Sequence, residues 1–129
     1  MNIFGLGSDL VNIKRIHGIL RKNRNFKSRV FSKKEIVLGS KKNNQSNYYA
    51  KRFAAKEAFS KALGTGISKG LSFKDIEIIN DKLGKPHYSK TKKITKIVKK
   101  EFKVKSFNCF LSISDEKEYS TAFTIIQSI

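Results

Sequence analysis

The chain has 129 residues, 39% of them hydrophobic, which is long enough for one genuine core and too short for two. Lysine and arginine total 28 against 10 acidic residues, a formal charge of +18 that attracts polyanions: nucleic acid, an anionic membrane, a phosphorylated small molecule or an acidic protein. A single cysteine excludes an internal disulfide framework, and no apolar run approaches the roughly 20 residues needed to cross a bilayer, so a soluble, reducing, cytoplasmic setting without membrane association is expected.

Ile3 to Asp9 (IFGLGSD) reads as a first short strand, with Gly5 and Gly7 permitting another backbone to come close. Asp9 stands at its end, and it also interrupts the only apolar run that could serve as a signal peptide. Val11, Ile13, Ile16, Ile19 and Leu20 then form the apolar stripe of a helix whose other side carries Lys14, Arg15, Arg21 and Lys22. Ser32-Lys33-Lys34-Glu35 has the form of a capping box and starts a second, short helix. Lys41 to Asn47 reads as a polar loop.

The stretch from Tyr49 to Gly66 is the strongest helical pattern in the chain. Ala55, Ala58, Phe59, Ala62 and Leu63 fall at i, i+3, i+4, i+7 and i+8, one buried stripe. Arg52, Lys56, Glu57, Ser60 and Lys61 are assigned to the opposite, polar arc, and Gly64 to a left-handed C-cap. Phe53 also falls on the polar arc, which suggests a partner or ligand covering part of it.

A Gly- and Ser-containing loop runs to Ser72. Phe73 to Asn80 reads as a strand, Asp81 to Gly84 as a turn, and Lys85 to Tyr88 as an edge strand that tolerates Pro86. Ile94, Ile97, Val98 and Phe102 mark an amphipathic helix with a lysine-dense face. Ser106 to Ser114 and Tyr119 to Gln127 are two further strands, joined by Asp115 to Glu118. This order argues for an α+β fold in which a small, mainly antiparallel sheet packs with helices, one domain over residues 1–129. Cys109, in an apolar run, is read as a small core residue. His17 and His87 lack companions at ligand spacing and are read as surface or structural.

Asp9 and Glu57 are the acids best placed for chemistry. Two carboxylates, one from a strand end and one from a helix, could hold Mg²⁺, with substrate phosphates completing an oxygen shell. The same residues equally fit quieter roles, Asp9 as a helix N-cap and Glu57 as the i, i+4 partner of Lys61. Spacing leaves both open.

Four blocks resemble holo-[acyl-carrier-protein] synthases of the 4′-phosphopantetheinyl transferase superfamily: GLGSDLVNIKRI at Gly5 to Ile16, RFAAKEAFSKALGTGI at Arg52 to Ile67, FKDIEIINDKLGKP at Phe73 to Pro86, and LSISDEKEYSTA at Leu111 to Ala122. They occur in the family's order and approximate spacing and, with FSKKEI between them, span most of the chain. The resemblance implies transfer of the phosphopantetheine arm of coenzyme A to a serine of apo acyl carrier protein, with release of adenosine 3′,5′-bisphosphate, in support of fatty acid biosynthesis. It also implies an α+β fold and a homotrimer with active sites between subunits. By the same resemblance Asp9 and Glu57 are Mg²⁺ ligands, and Lys61 lies near the diphosphate, so Glu57 and Lys61 are the catalytic candidates. Arg52, the Gly64-Thr65-Gly66 turn and the Gly84-Lys85-Pro86 turn are coenzyme A contacts.

This chemistry suits the residues. A diphosphate leaving group needs metal and cations, and the nucleophile belongs to the partner, so no Ser-His pair is required here. A metal-bound water or Glu57 could take the serine proton. The carrier is acidic, which makes Lys14, Arg15, Arg21 and Arg24 the expected docking residues. One departure stands out: the family's last block usually places a histidine beside coenzyme A, where this chain has Asp115. An exposed turn, with Asp115 in solvent beside Lys117, is the expected accommodation. Two rivals remain at this level, a basic nucleic-acid-binding module and a family member that binds without turnover; the Asp9 and Glu57 blocks favour the enzyme, with no nucleic-acid partner.

Overall fold

The first strand, β1 (Ile3–Asn12), runs three residues past the expected end, and this places Asp9 inside a sheet rather than before a helix. The computed structural model describes residues 1–129. β1 pairs antiparallel with β5 (Tyr119–Ser128), and the ladder continues through Val11↔Ser120 and Asn12↔Tyr119, which holds Leu10 to Asn12 extended. Val11 is therefore a buried strand residue and not the first of a helical stripe. Helix α1 (Ile13–Lys22) is capped by Asn12, whose Oδ1 accepts from the Arg15 N–H at 3.1 Å, so the N-cap role weighed for Asp9 belongs to Asn12.

The short helix α2 (Phe26–Val30) precedes α3 (Lys33–Ser40), which begins at the expected Ser32–Glu35 capping box. Helix α4 spans Gln45–Leu63, starting four residues before Tyr49 because Asn44 inside the polar run caps it, accepting from the Asn47 N–H at 3.0 Å. It ends at Gly64 in the left-handed region, φ 86°. Phe73–Asp75 forms a 3-10 turn capped by Ser72, which leaves only Ile78–Asn80 as β2, paired with β3 (Pro86–Tyr88). The expected longer strand is lost because the Phe73 and Ile76 carbonyls turn inward to Lys56. Helix α5 (Lys92–Phe102) then leads to β4 (Phe107–Asp115), and the main sheet has the order β1-β5-β4, all antiparallel.

Helix α4 lies across this sheet at a distance only glycine allows. A Cβ on Gly5 would stand 1.9 Å from the Ala62 carbonyl oxygen, and one on Gly7 1.8 Å from that of Ala58. The helix answers with small residues, Ala54, Ala55, Ala58 and Ala62, all buried. The other side of α4 is covered too. Arg52, Lys56 and Ser60, assigned to the polar arc, are buried, and over Lys56 the cover comes from α3 and the segment before β2. Lys56 Nζ donates to Glu35 Oε1 at 2.7 Å and to the Phe73 and Ile76 carbonyls at 2.9 and 2.7 Å, so all three of its protons are used. Phe53 is covered by the chain's own Phe26 and Phe73, at centroid distances of 5.9 and 5.6 Å, rather than by a partner.

The two glycine positions separate packing from backbone freedom. Gly7→Ala should destabilise the protein by about 3 kcal/mol or more, since the clash is with backbone and no rotamer relieves it. Gly18, in α1, has nothing within 4 Å of a built Cβ, and Gly18→Ala should stabilise by about 0.5–1 kcal/mol. Urea melts at matched protein concentration measure both; a Gly7→Ala protein as stable as wild type would show that β1 does not need to sit this close.

Candidate active site

The β1–α4 crossing brings together the acids singled out in the sequence. Gly7 rests on Ala58, and two residues further along β1 the Asp9 side chain meets the same helix. Lys61 reaches back from α4, its Nζ donating to the Ser8 carbonyl at 2.9 Å and to Asp9 Oδ1 at 3.1 Å. Thr121 Oγ1 donates to the Asp9 carbonyl at 2.9 Å and fixes the strand at this point. Glu57 sits one turn before Lys61. Burial, and then the neighbouring Asp9 carboxylate, raise its proton affinity, while Lys61 and Arg15 act in the opposite sense. The i, i+4 pair weighed for Glu57 and Lys61 thus gives way to a Lys61–Asp9 bridge, with Glu57 left as a second carboxylate beside it. The Asp9 side chain is 16% exposed and that of Lys61 56%, so the cluster opens to solvent from the lysine side.

Arg52 occupies a different flank. Five residues separate it from Glu57, about 140° around the helix. It is 5% exposed, lies over the Tyr48 ring at 4.2 Å from the centroid, and donates from Nη2 to Asn80 Oδ1 at 2.8 Å. Its Nε is 3.6 Å from Glu35 Oε2. Together with Lys42, Lys51, Asn80 and Gly84 it lines a cavity of about 570 Å³. Lys85 and Pro86 face a separate cavity of about 340 Å³ shared with Lys90 and Phe110. The Gly64-Thr65-Gly66 turn closes the C-terminus of α4, with the Gly64 and Gly66 N–H groups both donating to the Ser60 carbonyl and Gly66 at φ 62°. Twelve residues of helix put it about 18 Å along the axis from Arg52. The predicted residues therefore form one cluster of Asp9, Glu57 and Lys61 and a second of Arg52 and Gly84, while Lys85 and Pro86 face another cavity and the Gly64-Thr65-Gly66 turn lies apart.

Lys14, Arg15 and Arg21 are exposed on α1, and Arg24 is exposed in the turn after it. Arg15 is set apart because its charge also acts on Glu57. Asp115 is exposed as expected, but it is the last residue of β4 and not part of the turn, and its Oδ2 accepts from Asn47 Nδ2 at 2.8 Å. The first turn of α4 carries no acid of its own, so this end of the helix is a favourable place for a carboxylate. His17 hydrogen-bonds Ser46 Oγ at 2.8 Å and His87 pairs with Asp81 at 3.2 Å, both surface roles as expected. Sequence reasoning missed Glu35, Tyr48 and Asn80 as the residues that grip Arg52; the capping box pointed to Glu35 for its cap alone.

A family model described as the 4′-phosphopantetheinyl transferase superfamily matches residues 5–124. A holo-[acyl-carrier-protein] synthase from Pelagibacter ubique is 61% identical over 127 residues, covering 98% of each chain. Among solved structures, the holo-[acyl-carrier-protein] synthase of Neisseria meningitidis superposes with a TM-score of 0.86 at 37% identity, over 98% of this chain and 100% of that one. That of Bacillus anthracis, solved in complex with CoA (3′,5′-ADP), gives a TM-score of 0.80 at 36% identity, over 98% of each. With the overall fold and nearly the full length in common, this chain belongs to the holo-[acyl-carrier-protein] synthase family of the 4′-phosphopantetheinyl transferase superfamily.

Proposed function

We propose that this chain transfers the 4′-phosphopantetheine arm of coenzyme A to a serine of apo acyl carrier protein, as one catalytic domain over residues 1–129 in the cytoplasm, in support of fatty acid biosynthesis. The observation that carries this reading is the Asp9–Glu57–Lys61 cluster at the β1–α4 crossing, in a family with a relative solved in complex with coenzyme A. The serine oxygen forms a new bond to the β-phosphorus, and the diphosphate P–O bond breaks, releasing adenosine 3′,5′-bisphosphate.

Asp9 and Glu57 fit Mg²⁺. They are oxygen donors close enough that one raises the proton affinity of the other, a like-charge pair that a divalent cation relieves. No group of three or more His, Cys, Asp or Glu gathers around a common point, so water and substrate oxygens would complete the shell. When bound, the metal supplies charge neutralisation at the diphosphate. Lys61, fixed by Ser8 and Asp9, presents a cation to the same oxygens. Of the chain's own groups beside Lys61, Glu57 is the carboxylate placed to take up the serine proton. Arg52, Gly64, Thr65, Gly66, Lys85 and Pro86 are assigned to coenzyme A.

A homotrimer with active sites between subunits is part of this reading. The sheet face turned away from α4 is apolar and open: Leu6 and Leu10 are each 64% exposed, Phe110 51% and Phe123 52%. Register aligns Leu6, Ile125 and Phe110 in one row and Ser8, Phe123 and Ser112 in the next, a contiguous surface of the kind that marks subunit contacts. The separation of the Asp9 and Arg52 clusters around α4 also favours a ligand shared between protomers.

Mass spectrometry of apo carrier protein after incubation with coenzyme A and Mg²⁺ should show the added phosphopantetheine on the carrier serine. Coenzyme A binding without any mass gain would instead identify a binder that does not turn over.

Asp9→Asn and Glu57→Gln keep side-chain size and remove the charges assigned to the metal. Each should lower transfer by orders of magnitude at limiting Mg²⁺ while the thermal melt stays cooperative. Near-normal transfer by Glu57→Gln under those conditions would sink the metal assignment.

Carrier docking on α1 should be electrostatic, weakening as salt shortens the screening length below about 8 Å. Arg21→Glu should raise the KM for carrier roughly tenfold, flatten its salt dependence and leave the KM for coenzyme A unchanged. Arg15→Glu should disturb both substrates, because Arg15 also acts on Glu57. Equal effects of Arg21→Glu on both would remove α1 as the docking surface.

A further inference from the structure

Arg52 is packed on all sides but hydrogen-bonded at one point, whereas the β2–β3 turn is braced by its own residues. The Arg52 guanidinium is buried over Tyr48, near Glu35, and the only hydrogen bond it makes is to Asn80. In the turn, Asp81 Oδ1 accepts from the Leu83 and Lys85 N–H groups at 2.9 Å each, the Gly84 N–H donates to the Asp81 carbonyl at 3.0 Å, and Gly84 is at φ 84°. One side chain joins the two bodies. Asn80 Oδ1 accepts from Arg52 Nη2 at 2.8 Å, and Asn80 Nδ2 donates to the Gly84 carbonyl at 2.9 Å. Only this orientation of the amide works. Reversed, it would set N–H against N–H at Arg52 and oxygen against oxygen at Gly84.

We propose that Asn80 is a positioning residue for coenzyme A, its amide holding the Arg52 guanidinium and the Gly84 turn at a fixed separation across the 570 Å³ cavity that all three line. The inference rests on the reading of Arg52 and the Gly84–Pro86 turn as coenzyme A contacts, and adds the residue that registers them. Asn80 itself is exposed, at the end of β2, so it can be altered without opening the core. A charge-assisted hydrogen bond is among the stronger kinds, and a guanidinium presents its donors usefully only if its plane is fixed. Loss of the amide frees Arg52 to rotate about Tyr48 and the turn to drift from it, which costs ordering when the ligand binds.

The test compares Asn80→Ala, Asn80→Gln and Arg52→Ala in the full chain with Mg²⁺, by steady-state kinetics and by calorimetric titration of coenzyme A. Asn80→Ala should raise both the KM and the Kd for coenzyme A roughly tenfold, with kcat and the KM for carrier changed less than about twofold and an unchanged thermal melt. Asn80→Gln keeps an amide but moves it by one methylene, and should also raise the KM severalfold; a merely polar surface position would tolerate it. In the Arg52→Ala background, Asn80→Ala should add little, because its effect acts largely through Arg52. Wild-type KM and Kd in both Asn80 variants, with Arg52→Ala impaired, would overturn the positioning role and leave the Arg52 assignment standing. Wild-type values in Arg52→Ala as well would overturn both.

Discussion

The approach of β1 to α4 is the constraint on which the site depends. Two missing side chains, at Gly5 and Gly7, let a strand lie against the carbonyls of Ala62 and Ala58. Those residues bracket Lys61, and Glu57 directly precedes Ala58. The glycines therefore fix the depth of the strand, and the strand's period of two then turns Asp9 toward the helix as it did Gly5 and Gly7. The geometry of the proposed site is in this sense a by-product of packing: with any larger residue at position 7 the strand would have to back away from the Ala58 carbonyl, carrying Asp9 away from Lys61 with it. The small residues on α4 belong to the same device, since Ala54, Ala55, Ala58 and Ala62 keep the helix as thin as the contact requires.

A second constraint holds the far side of the helix. Glu35 is fully buried and uses both carboxylate oxygens. Oε1 accepts from Ser32 N at 2.9 Å and Lys56 Nζ at 2.7 Å, and Oε2 from Ile78 N at 3.3 Å. Burial lowers the proton affinity of Lys56, with Glu35 pulling it back, and Arg52 lies at the rim of the same cluster. Such a network adds little net stability compared with apolar packing, but removing one member leaves an unpaired charge and costs about 3–5 kcal/mol. What it secures is placement. α3, the segment before β2 and α4 are joined through one carboxylate and one ammonium, so the Arg52 flank has a fixed location relative to the Asp9 flank.

Much of this was legible in the sequence. The apolar stripe of α4, the Gly64 cap, the Ser32 capping box, the hairpins and the glycine-permitted contact all follow from local rules, and the structure agrees with each. The failures share a cause. Periodicity shows which side of a helix is polar, but not whether a buried acid waits there, and Glu35 lies 21 positions from Lys56. The same holds for Phe53, whose cover comes from Phe26 and Phe73, and for Asn80, whose partner is 28 positions away. Asp9 was misplaced to a strand end because its ladder partner lies in β5, over a hundred residues later. Long-range pairings decide what local pattern leaves open.

The aspartate at position 115 shows how such pairings change the meaning of a residue. Considered locally it is a negative charge where the family's usual histidine lies beside coenzyme A, and it would repel phosphates at short range. In the fold it is spoken for. Asn47, in the first turn of α4, donates to it from its side chain, near the positive end of a helix whose first turn has no acid of its own. The contact joins the end of β4 to the start of α4. One of its oxygens is hydrogen-bonded to Asn47 before any ligand arrives. The residue that locally reads as a threat to anion binding is thus joined to the helix that carries Arg52, Glu57 and Lys61.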